Sequence, residues 1–136
     1  KKFSNFLKKG DVVFLYGEIG VGKTTFIKYL INSFQKKKRV KITNITSPTF
    51  NLINEYLVKD ITFQHFDLFR LKNNKEIFNI GLLENLKDSI TLVEWPQLIK
   101  KEIKNKIEIY FEYEDNLERR FIRISGLNEA YKNVVK

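Results

Sequence analysis

An unbroken apolar run, Val12-Val13-Phe14-Leu15-Tyr16, is followed by a glycine-rich segment and then by a helical rhythm in which Phe26, Ile27, Leu30, Ile31 and Phe34 share one face. That spacing predicts a buried strand, a turn and an amphipathic helix over residues 24–34. Residues 39–45 are expected to hold a short strand, and Thr46-Ser47-Pro48-Thr49 a loop, because Pro48 bars a helix and restricts Ser47. Residues 51–58 and 61–67 read as two strands around the turn Lys59-Asp60. A helix interrupted at Gly81 is expected over residues 74–86, then a short apolar strand over 89–94 that Pro96 stops. Residues 106–114 and 119–125 alternate cleanly and pair through Asp115-Asn116 as a second hairpin, with a terminal helix over 128–136. No repeat or low-complexity linker interrupts the pattern, so the expectation is one continuous α/β unit.

The segment between the first strand and the first helix carries the chemistry. Gly17-Glu18-Ile19-Gly20-Val21-Gly22-Lys23-Thr24 is a complete phosphate-binding loop, G-x-x-x-x-G-K-T. Successive backbone N–H groups in such a turn form an anion nest, and the following helix adds its positive dipole end. Lys23 is placed to bring a point charge to the β and γ phosphates, and the Thr24 hydroxyl to ligate Mg²⁺. A chance match in an ordinary turn is the bland alternative, but strand before and helix after are the context the motif requires.

Composition narrows the setting. A chain of 136 residues is read as a single domain, residues 1–136, small for a nucleotide hydrolase that also carries regulatory parts. No apolar run is long enough to span a bilayer and no charged start precedes an apolar segment as in a secretion signal. The absence of cysteine rules out disulfides and thiolate metal sites and fits a cytoplasmic protein. Methionine is absent too, so the N-terminus is read as incomplete and Lys1 as an internal residue. The net charge of +9 is clustered at Lys8 and Lys9, within residues 36–41, at Lys100, Lys101, Lys104 and Lys106, and at Arg119, Arg120 and Arg123. A basic surface favours nucleic acid or an acidic partner; a solvated surface in a chain of biased composition is the competing reading.

A phosphate-binding loop needs an acid at a second strand end near the metal, and Ile90-Thr91-Leu92-Val93 ends at Glu94. Most such loops use Asp there, and the longer Glu94 is placed to reach the metal, directly or through a water, or to orient the attacking water. Asp67 is the second strand-end carboxylate, suited to positioning water or accepting its proton, with capping as its alternative role. Thr49 lies in the loop where a γ-phosphate sensor sits in these folds, or is an ordinary turn hydroxyl. His65, the sole histidine, reads more simply as packed or hydrogen-bonded than as catalytic. Trp95 is suited either to the core or to a partner surface.

Taken in order, residues 17–25, then Ser47-Pro48-Thr49-Phe50, then His65-Phe66-Asp67-Leu68-Phe69-Arg70-Leu71, then Val93-Glu94-Trp95-Pro96, the chain resembles the bacterial TsaE family from about residue 11 to 125. That is the small ATPase family of tRNA threonylcarbamoyladenosine biosynthesis. The resemblance implies a P-loop NTPase-like three-layer α/β sandwich whose mixed sheet carries antiparallel hairpins. It implies ATP and Mg²⁺ as cofactors, with Glu18, Ile19, Gly20, Val21, Gly22, Lys23, Thr24 and Thr25 around the phosphates, and Thr24 and Glu94 on the metal. It makes residues 47–50, with Thr49, a switch; Asp67 necessary for activity beside Lys23 and Glu94; and Arg119 a residue near the nucleotide. Phe69 stands where tyrosine is more usual, and the family's N-terminal segment that helps hold the base is missing or shortened.

Proteins of this family act with the TsaB and TsaD pair, supporting modification of adenosine in ANN-decoding tRNAs, with tRNA met through the complex. No obvious arginine finger follows the switch, although Arg70 is a candidate, so slow hydrolysis alone and activation in trans are expected. The rivals are a small-molecule kinase, for which no lid-sized insertion is present, and a basic tRNA-binding module with a regulatory nucleotide site. A GTPase is disfavoured because Asn74-Lys75-Glu76-Ile77 lacks the Asp of a guanine-reading motif.

Overall fold

The computed structural model describes residues 3–18, 22–46, 48, 52–73, 75–76, 81, 84–113 and 120–125. Among them six strands form one mixed sheet: β1 (Val12–Tyr16), β2 (Ile53–Val58), β3 (Ile61–Asp67), β4 (Ser89–Glu94), β5 (Ile107–Tyr113) and β6 (Arg120–Ser125), in the order β2-β3-β4-β1-β5-β6. The four inner strands run parallel, and an antiparallel hairpin closes each edge. Every residue of β1 and β4 is buried, as expected of central parallel strands covered on both faces. The edge strand β2 is only partly buried and leaves Leu57 exposed.

Strand alternation sorts the side chains into two cores. Val13 and Leu15 of β1 face the helix α1 (Lys23–Lys37), meeting its Ile27, Leu30, Ile31 and Phe34 together with Phe63, Ile90, Leu92 and Ile109. Val12, Phe14 and Tyr16 point the other way, against Phe66, Leu68, Val93, Ile99 and Ile103. Full burial of side chains such as Ile27 and Ile31 contributes about 1.5–3 kcal/mol each. Phe34 adds an edge-on contact with Phe63 at 5.0 Å between ring centroids. The α/β fold with a mixed sheet and two hairpins is as the sequence predicts.

Three local expectations change. The helix begins one residue before and ends three residues after the predicted 24–34. Its last turn is polar, and is closed by backbone bonds from Arg39 N to Lys36 O (3.1 Å) and Val40 N to Gln35 O (2.8 Å), with Arg39 at φ 57°. The expected strand over residues 39–45 is absent, because α1 takes up its polar groups instead. Gln35 donates from Nε2 to Thr43 Oγ1 (2.9 Å) and accepts from Thr43 N (3.3 Å), and Asn32 Nδ2 donates to Thr43 O (3.2 Å). Of the helix expected over 74–86, Lys75 and Glu76 are helical and Leu86–Asp88 forms a 3₁₀ turn, while most of the span lies outside the described residues. The Asp115-Asn116 turn and the helix over 128–136 also lie outside them.

The register sets the site. Leu15 pairs with Glu94 and Asp67 with Glu94, so the C-terminal ends of β1, β4 and β3 lie side by side. In parallel α/β sheets this edge is where ligands bind.

Candidate active site

On the face covered by α1, each inner strand is apolar along its length and changes character at this edge. Val13 and Leu15 lead to Gly17, Ile90 and Leu92 to Glu94, and Phe63 to His65 and Asp67. Polar side chains are thus delivered to one place by strands that are otherwise core.

The helix enters through Gly22, the residue before its first turn, at φ 110° and ψ 15°, a backbone conformation that strains any residue with a Cβ. Gly22 supplies no side-chain cap and the first turn holds no acid, which leaves the positive end of α1 for an anion. Lys23 is 4% exposed; its Nζ donates to the Gly17 carbonyl at 2.5 Å and lies 3.8 Å from the centre of the Trp95 ring. Burial pushes the Lys23 ammonium below its ordinary pKa, and the charges of Glu94 and Asp67 oppose that shift. This is a desolvated cation whose burial outweighs the two carboxylates near it.

Glu94 collects donors from two elements. Thr24 Oγ1 lies 3.3 and 3.2 Å from its carboxylate oxygens, and His65 Nε2 lies 2.6 Å from Oε2. His65 is fully buried and its Nδ1 has no partner. The pattern assigns the proton to Nε2, since an acceptor left unpaired at Nδ1 costs less than a buried N–H without an acceptor would. His65 therefore matches the packed, hydrogen-bonded reading, and the group it holds is Glu94. Asp67 sits one strand away at the register of Glu94, half-buried, with Oδ1 accepting from the Phe69 N–H at 3.0 Å.

Trp95 has φ 56° and ψ 58°, although it precedes Pro96, a placement that disfavours helical backbone of either hand. A bulky residue held there stores of order 1–3 kcal/mol, and such strain clusters at functional sites. It turns the indole onto Lys23 and against Phe69, with ring centroids 4.8 Å apart. The sequence left Trp95 between core and surface; it is half-buried and lines the site.

Thr24 is half-buried at the carboxylate, while Glu18, Thr25 and Arg70 are exposed. Ile19, Gly20, Val21, Thr49 and Arg119, together with Ser47 and Phe50 of the predicted switch, lie outside the described residues. The His65–Glu94 bond and the Lys23–Trp95 contact escaped the sequence reading. The spacing of His65 and Asp67 on one strand face was the available signal for the first; nothing local signalled the second.

Comparison with known proteins agrees with this architecture. The family model for threonylcarbamoyl adenosine biosynthesis protein TsaE matches residues 1–121. The chain belongs to the TsaE family. Curated relatives include the tRNA threonylcarbamoyladenosine biosynthesis protein TsaE of Rickettsia felis, 37% identical over 131 residues covering 96% of this chain and 74% of the relative. That of Bacillus subtilis is 34% identical over 130 residues, covering 93% and 77%. The crystal structure of Bacillus subtilis YdiB superposes with a TM-score of 0.68 at 26% identity, over 98% of this chain and 80% of that one. A TsaE-family chain is thereby tied to tRNA threonylcarbamoyladenosine biosynthesis and to a P-loop-like fold. No described helix is long and apolar enough to cross a membrane.

Proposed function

We propose that residues 1–136 act as one Mg²⁺-dependent ATPase domain, weak alone and stimulated by the TsaB and TsaD pair, in threonylcarbamoyl modification of tRNA. The observation that carries the reading is the convergence of Lys23, Thr24 and Glu94 at one strand edge, beside the N-terminus of α1. The donor set fits Mg²⁺: a hydroxyl and a carboxylate are hard oxygen ligands, and the described residues contain no cluster of three or more His, Cys, Asp or Glu. Few protein ligands suit an ion that completes its shell with water and phosphate oxygens. When bound, Mg²⁺ neutralises charge on the phosphates.

The chain's own residues supply the rest. Lys23 is held from behind by the Gly17 carbonyl and exchanges that partner for phosphate oxygens, which favour its charged form. Thr24 and Glu94 would hold the ion, with His65 keeping Glu94 Oε2 in place. Asp67 orients the attacking water and accepts its proton, and the first turn of α1 donates backbone N–H groups to phosphate. Thr49 is assigned to sensing the γ-phosphate and Arg119 to binding the nucleotide.

The test is ATP turnover by the chain alone and with the TsaB and TsaD pair plus tRNA, using Lys23→Ala and Glu94→Ala as controls. Slow basal hydrolysis, raised by the assembly and lost in both variants, is the expected outcome. Equal rates with and without partners, or a requirement for a small-molecule acceptor, overturn the reading.

A further inference from the structure

The far end of α1 carries charge that the nucleotide site does not use. Lys36, Lys37, Lys38, Arg39 and Lys41 are all exposed. Ion pairs among the described residues involve Lys8, Lys9 and His65 instead. Lys36 and Lys37 have a local cause, since cations in the last turn complement the negative end of a helix. Arg39 and Lys41 lie beyond that turn. Arg39 moreover occupies the left-handed position, φ 57°, that closes the helix, where glycine serves without strain. Closing the helix explains the backbone at Arg39 but not a long exposed cation there, a combination it shares with Lys59 in the β2–β3 turn.

Next to this turn lies a groove of roughly 390 Å³ lined by Ser4, Asn5, Ser33, Lys36 and Lys37. Its exposed lining is largely apolar, with the Lys36 and Lys37 ammonium groups at its rim, Lys37 reaching Asn5 Oδ1 at 3.0 Å, and no acid lines it. One helical turn before Ser33, on the same stripe of α1, Tyr29 is 71% exposed. Clustered cations beside a largely apolar groove and an exposed aromatic ring match a sugar–phosphate backbone with a base to stack. An acidic protein surface would leave the ring without that use.

We propose that the C-terminal turn of α1, the adjoining groove and Tyr29 bind the backbone of RNA, so that this chain contacts tRNA directly. The proposal rests on the reading of the chain as a tRNA-modification subunit and not on its hydrolytic chemistry. The surface lies at the opposite end of a helix about 22 Å long from the phosphate loop.

The test uses the full chain and a labelled tRNA transcript, with affinity measured by fluorescence anisotropy at about 50 and about 200 mM salt. The wild type binds with steep salt dependence. The triple variant Lys36→Gln, Lys37→Gln, Lys41→Gln weakens binding about ten-fold or more and flattens the log–log salt slope by about 2, as expected for three lost phosphate contacts. Tyr29→Ala weakens binding about five-fold or more. Arg39→Gly is the decisive variant: RNA affinity falls while the thermal midpoint rises by about 2–4 °C, because the strain is relieved. Basal ATP turnover stays within about two-fold throughout. Absence of tRNA binding by the wild type, or unchanged affinity in the triple variant and Arg39→Gly, overturns the proposal. So does a loss confined to binding of the TsaB and TsaD pair, which would assign the surface to a protein. Retained RNA binding in Lys23→Ala, with turnover lost, separates this surface from the ATPase reading.

Discussion

Two carboxylates sit on opposite faces of the sheet at adjacent registers of β1, Glu94 beside Leu15 and Glu108 beside Phe14, and both collect hydrogen bonds. Glu94, on the α1 face, accepts from Thr24 and His65. Glu108 of β5, on the other face, accepts from Tyr16 Oη at 2.7 Å and Tyr110 Oη at 3.3 Å, under two rings stacked 4.6 Å apart and 7° from parallel. As polar clusters they look alike. They differ in what surrounds them. Beside Glu94 stand a buried cation, a helix N-terminus without a side-chain cap and a strained Trp95; beside Glu108 stand aromatic rings that need only their hydroxyls satisfied. Hydrogen-bond satisfaction builds structure on both faces, and only the α1 face adds a desolvated cation and stored backbone strain beside its carboxylate. Those two properties distinguish a site from a well-made piece of core.

The sharpest separation comes from charge removal. Lys23→Ala lowers ATP turnover of the assembly by about 10²–10³-fold or more, the scale of losing a preorganised electrostatic group. Its thermal midpoint stays level or rises, because burial already disfavours the ammonium and removing it relieves that cost. Glu108→Gln leaves turnover within about two-fold. Similar losses of turnover in both variants would erase the distinction between the faces.

His65 gives an intermediate effect and tests whether the Glu94 cluster is built as well as charged. His65→Ala leaves a void and deprives a buried carboxylate of a donor, which costs about 2–4 kcal/mol in urea unfolding. The Mg²⁺ concentration for half-maximal turnover rises about 10–100-fold, the usual effect of removing a group that orients a metal ligand. His65→Gln, which restores an N–H donor, recovers most of the Mg²⁺ dependence even where stability stays low. If Gln and Ala behave alike, His65 is packing alone.

How much of this was legible in the sequence follows from the range of the interactions. The strand before the glycine-rich segment and the helix after it, the strand ending at Glu94 and both hairpins were readable because motif spacing, period-two alternation and turn residues are local signals. The extra helical turn after Phe34 was not, because its stability comes from backbone capping and its side chains are polar. The strand expected at 39–45 failed because Gln35 and Asn32 satisfy Thr43 in its place. The His65–Glu94 bond joins residues 29 positions apart through β3–β4 pairing, a register that no local pattern encodes. The left-handed backbone at Trp95 contradicts the local preference before proline, which is why no local signal pointed to the indole covering Lys23.

The smallest effect probes the quiet face. Burial, reinforced by the hydrogen bond and charge of Glu108, pushes the Tyr16 phenol well above its ordinary value of 10.0. Its folded-state pKa thus exceeds the unfolded one, so the stability it contributes is complete below about pH 10 and declines as pH rises from there toward the folded-state value. Tyr16→Phe loses one hydrogen bond, about 0.5–1.5 kcal/mol at neutral pH, and its stability falls less steeply in alkali. Urea unfolding at pH 9 and pH 11 measures both, with ATP turnover at neutral pH unchanged within about two-fold. An alkaline slope identical to the wild type's would mean that Tyr16 is not held neutral by Glu108, and a large loss of turnover would make this face part of the site. With stability altered and turnover kept, the two carboxylate clusters divide as their surroundings require: Glu108 secures the strand that leads into the phosphate loop, and Glu94 serves what the loop holds.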